Sequence, residues 1–193
     1  IIAPCATAPG EVVTNGWSPS KRNNPYANSG IVVGLELNDF EKYRKHGPLA
    51  GLYLQKEFEQ RAWELAGKKQ TAPAQRLADF VSGTQSLSLP ECSYRPGVKP
   101  VNMFDVLGKQ IGGIGLLRQE RANGILQQGF KAFGNKMRGY LDKDAIIVGV
   151  ESRTSTPVRI PRDKEKLCHP QLSNLFPCGE GAGYAGGIVS AAM

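Results

Sequence analysis

Leu175-Phe176-Pro177-Cys178 runs into five glycines within nine positions, 179 to 187, and then into Ile188-Val189-Ser190-Ala191-Ala192. No other stretch of the chain restricts its fold so strongly. The pattern predicts a short strand, a tight turn and the start of a helix. A helix start exposes unpaired backbone N–H groups and a partial positive charge, and missing Cβ atoms let a ligand approach the main chain. An anion, a phosphate or the electron-rich edge of a ring is the natural guest; the alternative is a glycine-rich turn with no ligand. Gly181-Ala182-Gly183-Tyr184-Ala185-Gly186 also satisfies G-x-G-x-x-G. A dinucleotide fingerprint, however, opens a βαβ unit of about 30 residues, with an acid about 20 residues further on. Only seven residues follow Gly186, so the pattern closes a fold.

The rest of the 193-residue chain sets the class. Hydrophobic residues make up 40% and charged ones 21%, enough for a packed core and against general disorder. No apolar run approaches the ~20 residues of a membrane span. The net charge of +7 suggests an anionic partner such as nucleic acid. The basic residues are nevertheless scattered, densest at 131–138 and 153–166, and aromatic residues do not interleave with them. A solvated basic surface, or one meeting an anionic cofactor or another part of the same protein, is the stronger reading. Cys5, Cys92, Cys168 and Cys178 form no C-x-x-C pair, and Cys168, His169 and Cys178 are too few for a closed zinc site. A reduced, cytoplasmic protein without metal is expected. Cys178 reads as a small buried hydrophobe, and His46 and His169 receive no role. The chain begins Ile1-Ile2-Ala3-Pro4-Cys5 with no basic or long apolar leader, and it stops in what reads as the middle of a helix. A piece of a longer protein is expected.

Along the chain, Glu11–Thr14 predicts a strand ended by Asn15-Gly16, and Ile31–Leu37 a buried strand. A helix is predicted from Pro48 to Gly67, with Leu54, Phe58, Ala62 and Leu65 on one face. A short helix over Pro73–Val81 follows, with Leu77, Phe80 and Val81 inward and Gly83 as its stop. Gln85–Pro100 reads as loop. After Gly112-Gly113-Ile114-Gly115 comes a long helix with Leu126, Phe130, Phe133 and Met137 on one face, weakened by Gly124 and Gly129. Ala145–Glu151 predicts a strand of parallel-sheet character, and Pro157–Ile160 and Leu175–Cys178 two more. Strands, then helices, then strands make an α+β fold, or a fragment of a discontinuous α/β fold.

The closing segment, Phe176 to Ala192, resembles the C-terminal flavin-binding signature of the bacterial FAD-dependent (NAD/FAD-utilising) dehydrogenase family. It is similar to the closing motif of two-dinucleotide-binding-domain flavoproteins in general. Val12–Gly16, Ala27-Asn28-Ser29, Gly47-Pro48-Leu49-Ala50-Gly51, Ala72-Pro73-Ala74-Gln75-Arg76 and Gly149–Ile160 resemble the same family in the same order. The family's N-terminal half, with the true dinucleotide fingerprint, is absent from this sequence.

The resemblance implies the C-terminal part of an FAD-dependent oxidoreductase, with FAD as cofactor, NAD(P)H as a candidate electron donor and a small-molecule substrate. Residues 1–30 and 145–193 would belong to the flavin domain, and 31–144 would be an inserted, mostly helical segment covering the flavin. Gly179 and Glu180 would face the ribityl and pyrophosphate of FAD, and Gly181 and Gly183 would also belong to the cofactor-binding turn. Gly186, Gly187 and Ile188 would offer N–H groups to the flavin edge where negative charge grows on reduction. Arg153, Thr154, Ser155, Pro157 and Arg159 would line the flavin or substrate face, with Arg153 on an anionic group. For Arg153 and Arg159 an exposed salt-bridging pair is the alternative. The expected partner is the dinucleotide-binding half of the same polypeptide, with self-association when that half is missing. A different class also fits a basic chain: a nucleic-acid-associated module related to tRNA-modifying flavoproteins, which share a similar glycine motif.

Overall fold

The computed structural model describes residues 2–5, 8–92, 97–108, 119–184 and 187–192. The fold is α+β. Strands β1 (Ile2–Cys5) and β2 (Val13–Gly16) form an antiparallel hairpin. Asn15 and Gly16, expected to end the second strand, instead pair with Ala3 and Ile2. The predicted strand at 31–37 does not form: Val32 is 64% exposed and no described segment supplies a partner ladder. A 3-10 helix begins there instead (Leu37–Leu49), where the Asp39 side chain accepts the Glu36 N–H at 2.7 Å.

Helix α1 (Ala50–Leu65) forms close to its predicted limits. Leu54 and Ala62 are buried and Phe58 packs against the core, whereas Leu65 at the helix end is exposed. The helix predicted over 73–81 divides in two. Its first half is strand β3 (Ala72–Arg76) and its second half helix α2 (Leu77–Ser82), which ends at Gly83 with φ of 77°. Pairing on both sides overrides the helical preference of the alanines, since β3 is the central strand of a sheet ordered β4-β3-β5.

Strand β4 (Val98–Pro100), in a stretch read as loop, runs parallel to β3. Helix α3 (Met103–Leu107) follows, and its cap residue Asn102 accepts the Phe104 N–H at 3.0 Å. The glycine break at 112–115 lies outside the described residues. Helix α4 (Gln119–Lys136) presents Leu126, Phe130 and Phe133 to the core as expected, while Met137 falls beyond its end and is exposed. Strand β5 (Ile146–Val148) pairs antiparallel with β3, contrary to the parallel reading of its apolar run. A continuous apolar run reports burial, not strand direction.

No strand forms at 157–160 or 175–178. Those segments are held by isolated hydrogen bonds instead of ladders, among them Ile160 N–H to Gly181 O at 2.7 Å and His169 N–H to Leu175 O at 2.7 Å. The chain closes with a short 3-10 turn (Glu180–Ala182) and helix α5 (Ile188–Ala192). The core gathers Val12, Ala62, Leu77, Phe80, Val101, Met103, Val106, Phe130 and Val150. Phe80 is fully buried, stacked on Phe104 and edge-on to Phe130. No described helix is long and apolar enough to cross a membrane.

Candidate functional site

Helix α1 builds the site with a face other than its apolar one. Residues four apart on a helix lie one above the other, and Gly51, Gln55 and Glu59 form such a row against residues 152–157. At its start, a Cβ on Gly51 would stand 2.4 Å from Pro157 Cβ, so only glycine admits the proline ring this close. One turn on, the Gln55 side-chain amide donates to the carbonyls of Ser152 at 2.8 Å and Ser155 at 3.2 Å. Another turn on, Glu59 has no exposed surface and accepts three hydrogen bonds. They come from Ser152 Oγ at 2.6 Å, Arg153 Nε at 2.8 Å and Arg153 Nη2 at 2.8 Å. The paired arginine contacts are the two-pronged geometry in which guanidinium binds carboxylate most strongly.

Beside this wall lies an open groove of about 440 Å³, lined by Glu11, Leu52, Gln55, Lys56, Arg153, Ser155, Thr156, Pro157 and Glu180, with Ala8 at its edge. Four predicted residues, Arg153, Ser155, Pro157 and Glu180, therefore meet in one place although 27 positions separate the first from the last. Glu11, just before β2, is 4% exposed; its Oε2 accepts the Ala8 N–H at 3.3 Å and lies 4.0 Å from Arg153 Nη2. A smaller cavity of about 120 Å³ lies on the other side of Arg153, among Val13, Thr14, Asn15 and Glu151.

The glycine turn stands at the end of the groove. Gly179 has φ 79° and ψ −162°, a conformation essentially reserved for glycine, and Gly183 is left-handed at φ 83°. The N–H groups of Ala182, Gly183 and Tyr184 are used inside the turn, on the carbonyls of Gly179 and Glu180. Those of Glu180 and Gly181 donate to no acceptor among the described residues. Arg162 pins the turn from below, donating from Nη1 to Pro177 O at 3.0 Å with its guanidinium 4.2 Å from the Tyr184 ring centroid. Arg159 lies against Gly183, its Nη2 3.7 Å from where a Cβ would stand.

The other predicted residues are placed as follows. Thr154 is exposed, bonded to the Glu151 carbonyl, and outside the groove lining. Gly187, at φ 132°, opens α5 with Ile188, whose backbone is helical. Gly186 lies outside the described residues. Arg153 is half-exposed and pairs with buried Glu59. Cys178, expected to be buried, is exposed, because the chain leaves Pro177 without entering a sheet; Cys168 is the buried cysteine of this region. No cluster of three metal-ligating side chains occurs among the described residues.

Sequence reading missed Glu11, Gln55, Lys56 and Glu59. The one signal for them was the polar row at four-residue spacing beside the apolar face of α1, beginning at a glycine.

Over its full length this chain is 34% identical to a protein of Clostridium beijerinckii described as uncharacterized, and it spans about a third (34%) of that relative's length. Residues 1–154 match the family described as "FAD-dependent protein, C-terminal domain-like". That range contains the hairpin, α1, the whole three-stranded sheet and the start of the groove wall. The relative extends the likeness through the glycine turn. Built on these elements and with this match, the chain belongs to the FAD-dependent protein, C-terminal domain-like family.

Proposed function

We propose that this chain is the C-terminal part of an FAD-dependent oxidoreductase, in which the groove receives a small-molecule substrate and the glycine turn faces the flavin. The observation that carries the reading is the position of Glu180. It opens the glycine turn and also walls the groove, so a ligand at the turn and a ligand in the groove would meet beside it.

The residues at the turn suit a flavin. Two adjacent N–H groups, of Glu180 and Gly181, have no acceptor among the described residues, and glycine backbone at 179 and 183 keeps side chains away from the approach. With FAD bound, the cofactor would supply hydride chemistry; the protein supplies position and hydrogen-bond donors. The α1 row fixes residues 152–157, so the substrate wall is set before a ligand arrives. NAD(P)H is the proposed electron donor.

The test uses the complete polypeptide. Purified protein should carry flavin, read as visible absorbance relative to protein, and Gly187→Val should lower that ratio strongly. Colourless protein that does not take up added FAD would overturn the reading.

A further inference from the structure

We infer that the groove selects a cationic ligand, a substrate bearing a protonated amine, and that Glu11 is the residue that receives it. The inference rests on the reading of the groove as a substrate site and adds the chemical class.

The charges decide it. One guanidinium, that of Arg153, faces two almost wholly buried carboxylates. Glu59 takes the short contacts and is further served by Ser152. Glu11 is left with the guanidinium at 4.0 Å and one backbone N–H on Oε2. Its Oε1 receives no hydrogen bond from any described residue, and the side chain lines the groove. Lys56 and Glu180, also in the lining, balance one another in charge. The lining itself balances, Glu11 and Glu180 against Arg153 and Lys56; with Arg153 already held by the fully buried Glu59 behind it, the site carries one excess negative charge, on a chain whose net charge is +7. A carboxylate or phosphate brought to Arg153 would have to compete with Glu59 and would lie against Glu11. An ammonium meets an acceptor already stripped of most of its water, where charge pairing is strongest.

Isothermal titration of the complete polypeptide with benzylamine, benzyl alcohol and benzoate tests this, after flavin content has been measured separately. Benzylamine should bind at least about tenfold more tightly than either of the others, and Glu11→Gln should remove that preference. Equal binding of the alcohol, tighter binding of benzoate, or no binding of any probe overturns the inference. Should Glu11→Gln fail to fold, Lys56→Met, at an exposed position, carries the test. Loss of that cation should raise benzylamine affinity severalfold, and unchanged or lower affinity counts against the assignment. Because flavin content is read independently, a colourless protein that binds benzylamine would defeat the oxidoreductase reading without defeating this one.

Discussion

Glu59 shows how one side chain ties distant parts of this chain together. Its carboxylate holds Ser152 and Arg153, and its carbonyl accepts the Val12 N–H at 3.1 Å, so the strand that follows Glu11 and the groove wall share one anchor. Removing a partner from a buried pair costs about 3–5 kcal/mol, less where one member reaches solvent. Arg153 is 54% exposed, so Glu59→Gln should lower stability by about 2–3 kcal/mol, measured by urea denaturation. A fall well under 1 kcal/mol would show that the pair does not hold the wall. Gly51→Ala sets a methyl group against a proline ring that cannot rotate away, and overpacking of this kind costs about 1–3 kcal/mol. The neighbouring 152–157 segment should also become more susceptible to protease, which limited digestion would reveal. Deep in the core, Phe80→Ala should cost about 3–5 kcal/mol, because the cavity would open among Phe104 and Phe130.

At the scale of elements, the 3-10 helix before α1 is held by charge. Glu57 on α1 receives Lys42 and Tyr43 from that helix and Arg61 from its own. Burial pushes the Glu57 carboxyl up, but the hydrogen bonds of Lys42 and Tyr43 and the charges of Arg61 and Lys42 outweigh it and bring it below its usual 4.5. A carboxylate depressed in the folded state stabilises above its unfolded pKa, and the contribution is lost as pH falls through the folded value. The stability difference between the parent and Glu57→Gln should therefore be full at neutral pH and shrink below about pH 4.5; denaturation midpoints across that range check it. How much of this was readable in advance depended on what each element leans on. Helices α1 and α4 announced themselves because their apolar periodicity is local. Strand β3 did not: Ala72, Pro73 and Ala74 have little strand preference, and only β4 and β5 on either side make them one. The site was half-legible for the same reason. Glu180, Ser155 and Arg153 stood out by motif, whereas Glu11 and Glu59 acquire meaning only when β2, α1 and residues 152–155 meet.

For the whole molecule, the segment after the sheet is thinly packed. Leu172, Leu175, Phe176 and Val189 are exposed, and within 172–189 only Pro177 and Ala182 are buried among the described residues with assigned exposure. Exposed apolar surface of this kind favours association. The chain alone should accordingly self-associate as concentration rises, by sedimentation, and Phe176→Ser should reduce it. Alone, it should also bind FAD no better than millimolar. Micromolar binding needs about 8 kcal/mol, and a helix terminus offers an anion about 0.3–1 kcal/mol; stoichiometric titration at ten-micromolar levels would refute this expectation. The position of Pro73 has a consequence for how such a protein could change over time. Its carbonyl accepts the Gly149 N–H at 3.1 Å, but its ring nitrogen has nothing to donate, and the β3–β5 ladder stops at Val148. The chain thus leaves β3 at a fixed rung, passes to β2 where Val150 O accepts the Thr14 N–H at 2.8 Å, and every residue of the groove wall is counted from there. A residue added in the turn before β5 can be absorbed at the surface. One added between Val148 and Ser152 would move the arginine off its acid and the proline off its glycine together. Length variation among descendants of this chain should gather on the near side of that rung and be missing on the far side.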